Sequence, residues 1–271
     1  MAALNALATA IAASFGSPMR QARRLHGGDL SEVFLTSLED GRHLVAKAGP
    51  LVAAEAEMLH AIRTAGAPAP QVLGVAQGYL FLEALEETAA SGAGWHALGL
   101  GLRKLHARRG AAYGWERDYA FGAVAIDNRP ATDWPAFWGE RRLSPSLPFL
   151  PPALARRLET LIGDLDDFLP AAPPAALLHG DLWTGNVLFG PAGKASLIDP
   201  ACYFGDAEVD LAMLTLFGQP GRDFRESYGP LAPGHETRRA LYQLWPALVH
   251  FRLFGAGYAA MVEERLTALR H

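Results

Sequence analysis

Three oxygen-bearing side chains in the middle of the sequence have the types and spacing to do chemistry together: Asp181, Asn186 five residues later, and Asp199 beyond them. Asp181 and Asn186 lie in the stretch His179-Gly180-Asp181-Leu182-Trp183-Thr184-Gly185-Asn186. A short apolar run (Val187-Leu188-Phe189) follows, then the turn Gly190-Pro191-Ala192-Gly193, then a second apolar run that ends Leu197-Ile198-Asp199. Two short strands closing a hairpin over that turn bring Asp199 back beside Asp181 and Asn186. Two acids and an amide converging in this way form a hard-oxygen site suited to Mg²⁺, with one acid left to touch a hydroxyl.

The spacing D-x-x-x-x-N followed by a downstream Asp is that of a kinase catalytic loop and its metal-binding Asp. Gly180 stands where protein kinases carry Arg, and Pro200-Ala201 follow Asp199 where they carry Phe-Gly. That variant resembles the small-molecule kinases with a protein-kinase-like fold, such as the aminoglycoside and choline kinases.

The elements that must position these residues can be read in order. Leu4, Leu7 and Ile11 repeat at helical spacing, and no basic region precedes this apolar start. A short amphipathic helix is therefore expected there, not a signal peptide. Gly27-Gly28 reads as a tight turn between strands, and Glu39-Asp40-Gly41-Arg42 as a hairpin turn before the strand Leu44-Val45-Ala46-Lys47. A Val-Ala-Lys strand after a glycine turn places Lys47 to hold the α and β phosphates of a nucleotide. Ala53 to Thr64 is a strong helix former stopped by Gly66 and Pro68. Glu55 and Glu57 point in different directions on it, so one of them can face Lys47. Two further strands, Gln71–Val75 and Tyr79–Glu83, lead to Glu83-Ala84-Leu85, read as the connector that offers backbone groups to adenine. The lobe boundary is placed there: residues 1–85 form a small antiparallel-sheet lobe and residues 86–271 a larger, mostly helical one. In the second part Leu98, Leu102 and Leu105 mark a helix, and His106 near its end reads as structural. Residues 113–142 are aromatic and irregular, the prolines at 145, 148, 151 and 152 read as a linker, and Leu154 to Leu169 as one helical stripe. The end of the chain, Glu236 to Arg270, is expected to be helical and kinked at Pro246.

Composition narrows the partners. The chain has 271 residues, 24 of them basic and 28 acidic, for a net charge of −4. With no Lys/Arg block longer than a pair, neither nucleic acid nor an anionic membrane is the expected partner. The lone Cys202 excludes an internal disulfide framework and a cysteine-rich zinc site, and fits a reducing, cytoplasmic compartment. Nothing in the sequence sets an oligomeric state.

Four stretches together resemble the fructosamine kinases, also called ketosamine 3-kinases, over nearly the whole length. They are H-G-D-L-W-T-G-N-V-L at 179–188 and D-P-A-C-Y-F-G-D-A-E-V-D-L-A-M at 199–213. The others are Phe121-Gly122 with Asn128, Asp133-Trp134 and Arg141-Arg142-Leu143, and Leu241-Tyr242-Gln243-Leu244 with His250 and Phe254-Gly255-Ala256-Gly257-Tyr258. Trp183 separates the family from most aminoglycoside kinases.

The resemblance implies a bilobal, protein-kinase-like α+β fold. It also implies transfer of phosphate from ATP, with Mg²⁺, to O3 of a 1-amino-1-deoxy-ketose, after which the adduct falls apart and frees its amine. The substrate would be a small ketosamine or a glycated protein side chain. The family's E-x-x-x-L context matches Glu55 and Leu59, which selects Glu55 over Glu57 as the partner of Lys47. Asp181 is then the base, Asn186 and Asp199 the metal ligands, and Gly27, Gly28 and Lys47 part of the nucleotide site, together with Glu83, Ala84 and Leu85. Asp210 braces the loop, His179 orients it, and Trp183 offers an apolar face to sugar carbons or, with equal weight, packs in the core. Some family members carry a redox-responsive cysteine in the glycine loop. Here Gly27-Gly28-Asp29 stands in that place, so no such switch is expected. An aminoglycoside- or choline-kinase-like enzyme is the alternative. A non-catalytic pseudokinase would predict damage at Lys47, Asp181, Asn186 or Asp199, and all four are intact.

Overall fold

The computed structural model describes residues 2–25 and 32–271. Its N-terminal part is a five-stranded antiparallel sheet made of β1 (Met19–Arg24), β2 (Glu32–Leu38), β3 (His43–Ala48), β4 (Val72–Ala76) and β5 (Tyr79–Glu83), in the order β1-β2-β3-β5-β4. Strand alternation sends Leu44 and Ala46 to one face, where they pack with Phe34, Leu38 and Phe81 against Leu7, Ala10 and Ile11 of α1 (Ala2–Phe15). Val45 and Lys47 therefore point to the other face, toward α2 (Val52–Thr64). The buried stripe of α2 runs Val52, Glu55, Met58, Leu59, Ile62, so one acid falls on the packed side while Glu57 faces outward.

The remainder is mostly helical, with small two-stranded ribbons that carry the site. It contains α3 (Gly92–Ala107), the hairpin β6–β7 (Tyr119–Phe121, Val124–Ile126), α4 (Trp134–Trp138), α5 (Pro152–Gly163) and the short α6 (Leu165–Phe168). Then come β8 (Ala176–Leu178), the hairpin β9–β10 (Val187–Gly190, Lys194–Leu197), β11 (Tyr203–Gly205) pairing with β8, and α7 (Glu208–Leu214), α8 (Arg222–Tyr228), α9 (His235–Phe254) and α10 (Ala259–Ala268). One core, containing Leu98, Leu102 and Leu105 of α3 with Leu177 and Leu197, continues onto Leu80, Leu82 and α2. The second core surrounds Trp134, Phe137, Trp138 and α9.

Three expectations are corrected. The stripe Leu154–Leu169 is two helices, because Gly163 ends the first and Asp164 leaves helical geometry (φ −103°, ψ 10°). The proline-rich stretch is not a linker: a wide π-helical turn (Gly139–Leu143) runs into a tight 3-10 turn (Ser144–Phe149), together burying Arg142, Leu143 and Ser146, and Pro152 opens α5 at a position where a missing N–H costs nothing. The helical run expected from Glu236 to Arg270 is not continuous: Pro246 lies inside α9, and the run is interrupted at Gly255, whose φ of +85° reverses the chain before α10. No helix of the described residues is long and apolar enough to cross a membrane.

Candidate active site

The loop after β8 is held from behind by one buried carboxylate. Asp210, on α7, accepts hydrogen bonds from the backbone N–H of His179 (2.7 Å) and of Gly180 (2.9 Å), and its Oδ2 lies 3.1 Å from His106 Nε2. His106 Nδ1 in turn lies 2.8 Å from the Tyr228 hydroxyl. Burial pushes the Asp210 carboxyl up, but the hydrogen bonds from His106 and from the Gly180 N–H outweigh it and leave the group below the ordinary carboxylate value. Gly180 adopts φ +81°, and a Cβ there would overlap the Ala201 carbonyl oxygen. A side chain at this position has no room, which explains why no Arg stands here.

His179 is fully buried and neutral, since burial drives its pKa down. Its Nε2 donates to the Ile198 carbonyl (2.8 Å), and its Nδ1 accepts from the Asp181 N–H (3.3 Å). That pair of contacts requires one tautomer and ties the loop to the strand leading to Asp199.

The hairpin β9–β10 pairs Leu197 with Val187, and the Ile198 N–H donates to the Asn186 carbonyl (3.0 Å), so Asp199 returns to Asn186. Asn186 Nδ2 donates to the Asp181 carbonyl (2.7 Å) and to Asp181 Oδ2 (3.0 Å). With the amide nitrogen committed to Asp181, Oδ1 is the atom of Asn186 suited to a cation. Asp199 sits in the left-handed region at φ +53°, a strained position that an Asp tolerates. Burial lifts the Asp181 carboxyl; the Asn186 hydrogen bond opposes this and the nearby Asp199 and Asp210 charges add to it, for a pKa of about 7.

Lys47 reaches across from the sheet. Its Nζ lies 2.8 Å from Glu55 Oε2 and 2.9 Å from Asp199 Oδ1. Burial disfavours the ammonium, but the two carboxylates outweigh it and raise its pKa, so it is a fixed positive charge. Glu57 instead meets Arg117 at the surface, 3.3 Å away.

One cavity of about 630 Å³ contains Lys47, Glu55, Asp181, Asn186, Asp199 and Asp210. Trp183 lines it as well, is 37% exposed, and lies over Gly185, where a Cβ would run into the indole. Gly27 and Gly28 lie outside the described residues. Glu83, Ala84 and Leu85 do not line this cavity, and Glu83 Oε2 accepts from the Gln71 N–H (3.1 Å). Sequence reasoning missed the opposite wall: Tyr119 and Phe121 from the β6–β7 hairpin, and Trp245, Val249, His250 and Phe254 from α9. The aromatic richness of residues 113–142 marked the first pair only as core. The second set lies in the Leu241–Tyr258 stretch, which carried the resemblance without a role.

The family model for fructosamine kinase matches residues 3–270. The chain belongs to the fructosamine kinase family. A Synechocystis protein named as a probable ketoamine kinase is 33% identical over 284 residues, covering 96% of this chain and 94% of the relative. A solved structure from Thermobifida fusca, provisionally named a fructosamine-3-kinase, superposes with a TM-score of 0.90 at 33% identity, covering 98% of this chain and 99% of the other. A type I macrolide 2′-phosphotransferase shares the fold alone, with a TM-score of 0.67 at 18% identity over 98% of this chain and 97% of that one. The fold is thus the kinase-like α+β arrangement of small-molecule phosphotransferases.

For a metal, the donors this family member offers are the Asp199 carboxylate and the Asn186 Oδ1, both hard oxygen, with Asp181 beside them. No cluster of three or more His, Cys, Asp or Glu occurs among the described residues, and Mg²⁺ needs none, since it takes one or two carboxylates and fills its shell with water and phosphate oxygens. The residues present fit that ion.

Proposed function

We propose that this protein is an ATP-dependent kinase that phosphorylates the O3 hydroxyl of ketosamines and so leads to their breakdown. The observation that carries the reading is the meeting, in one cavity, of Asp181, Asn186, Asp199 and the Glu55-held Lys47 beneath an open Trp183. Family membership and the name of the Thermobifida relative support the substrate class and the O3 position.

On this reading residues 1–85 form the nucleotide lobe, with Lys47 on the α and β phosphates and Gly27, Gly28 and Glu83–Leu85 around the rest of the nucleotide. Residues 86–271 form the catalytic and substrate lobe. Asn186 and Asp199 would hold Mg²⁺, which when bound would supply charge neutralisation for the phosphoryl group being transferred. The substrate O3 attacks the γ-phosphorus in line while its proton passes to Asp181, and the bond to the β,γ-bridging oxygen breaks to release ADP. A carboxylate with a pKa of about 7 is a stronger proton acceptor than an ordinary Asp, and the amide of Asn186 keeps it aimed. Trp183 covers the apolar face of the sugar. His179, neutral and bonded at both nitrogens, orients the loop and carries no proton.

The test is product analysis after incubation with Mg·ATP and fructose- or ribulose-derived amine adducts. Phosphorus NMR should show a 3-phosphate that decays with release of free amine. ATP consumption with an aminoglycoside or choline, and none with ketosamines, would overturn the reading.

A further inference from the structure

The cavity beside Asp181 continues past Trp183 along a chain of rings. Trp183 meets Phe217 with centroids 5.9 Å apart, and Phe217 meets His250 at 5.4 Å. His250 touches Phe254 (5.7 Å) and Tyr258 (5.1 Å), which touch each other at 5.7 Å. All five line the same cavity as Asp181 and Lys47. The backbone has been shaped to gather them. Gly255 at φ +85° turns the chain so that Tyr258 folds back onto His250, whose Nδ1 is held by the Pro246 carbonyl at 2.7 Å.

Aromatic rings that serve only packing are covered, as Trp134, Phe137 and Trp138 are here. In this row Phe254 is 49% exposed and Phe217 45%, in contact with the candidate catalytic loop through Trp183. A contiguous exposed aromatic surface opening from a reaction centre is binding area. Its charge is one-sided. Among the described lining residues the sole Lys or Arg is Lys47, already held by Glu55 and Asp199, while Asp181, Asp199 and Asp210 share the cavity. A carboxylate entering this trench finds no free cation and meets acids. A protonated secondary amine gains from the ring faces, and an apolar or aromatic substituent gains from contact.

We propose that the rings beyond Trp183, the row Phe217–His250–Phe254–Tyr258, are the subsite for the amine part of the substrate, selecting ketosamines of aromatic or alkyl amines over those of amines bearing an adjacent carboxylate. This rests on the ketosamine-kinase reading above. The experiment compares three adducts of one sugar, those of benzylamine, methylamine and glycine, by steady-state kinetics with Mg·ATP. The benzylamine adduct should exceed the methylamine adduct in kcat/KM, and the glycine adduct should be poorest, about tenfold or more below benzylamine. In Phe217→Ala and Phe254→Ala, both at exposed rings, the benzylamine-to-methylamine ratio should shrink by about three- to tenfold, through KM and not kcat. Equal kcat/KM for the three adducts, or an unchanged ratio in both variants, would overturn the subsite while leaving the kinase reading standing. No turnover of any adduct would overturn both.

Discussion

Asp181 and Asp210 are two carboxylates of one site with opposite settings, and the difference lies in their donors. Asp210 is fully buried, yet two backbone N–H groups and His106 converge on it, so it stays charged below the ordinary range. Asp181 stands at the front of the same loop with one amide, Asn186, on its carboxylate and two other acids nearby, and is lifted to about 7. Burial alone therefore does not decide a carboxylate's state; the number and charge of the donors do. The well-satisfied acid is a brace and the poorly satisfied one is able to accept a proton.

The strongest way to break this comparison is at its front. Asp181→Asn keeps the shape but removes the base, and turnover should fall by about 10² to 10⁴ while Mg·ATP binding survives. The same variant should be more stable than the parent by on the order of 1 kcal/mol. The sign follows from a folded pKa of about 7 against an ordinary 3.8. Between those values the unfolded chain ionises while the folded one holds its proton, so the parent loses stability as pH rises through the window. The advantage of the Asn variant should be absent below about pH 4, grow toward pH 7 and level off above it. Urea melts across pH check this, and a stability loss at pH 8 would make Asp181 a second brace.

At the back, Asp210→Asn replaces an acceptor with a donor facing buried N–H groups. A loss of about 2–4 kcal/mol at pH 7 is expected in the same melts. Because the folded carboxyl lies below its ordinary value, that loss should narrow as pH falls and the parent takes up its proton. A near-neutral effect at pH 7 would remove the brace.

The smallest effects sharpen the sheet side. Glu55→Gln should raise KM for ATP by about tenfold, by loosening a buried charged contact to Lys47. Glu57→Ala, breaking a pair in which both side chains are about half exposed, should change stability by under about 0.5 kcal/mol and leave ATP kinetics alone. Comparable ATP defects in both would undo the distinction between the two faces of α2.

Local spacing carried much of this site. Asp181 and Asn186 share one loop, and a four-residue turn between two apolar runs is enough to return Asp199 to them, because an antiparallel hairpin has only one short way to close. Strand alternation through Leu44–Lys47 likewise turned Lys47 toward α2, and helical spacing allowed only one of Glu55 and Glu57 to meet it, but the choice of Glu55 came from the family resemblance and not from periodicity. What periodicity could not assign was whether an aromatic residue is covered. Trp138 and Trp183 are the same residue type, but one is sealed under α9 and the other lies open beside Asp181. Exposure depends on elements far away in the chain: the β6–β7 hairpin, the loop that carries Phe217, and the last turn of α9. The break at Gly255 and the return of Tyr258 onto His250 were similarly hidden behind Pro246, the louder helix-breaking signal. Proline acts through its own missing N–H, whereas a glycine turns the chain only where tertiary packing calls on its left-handed freedom.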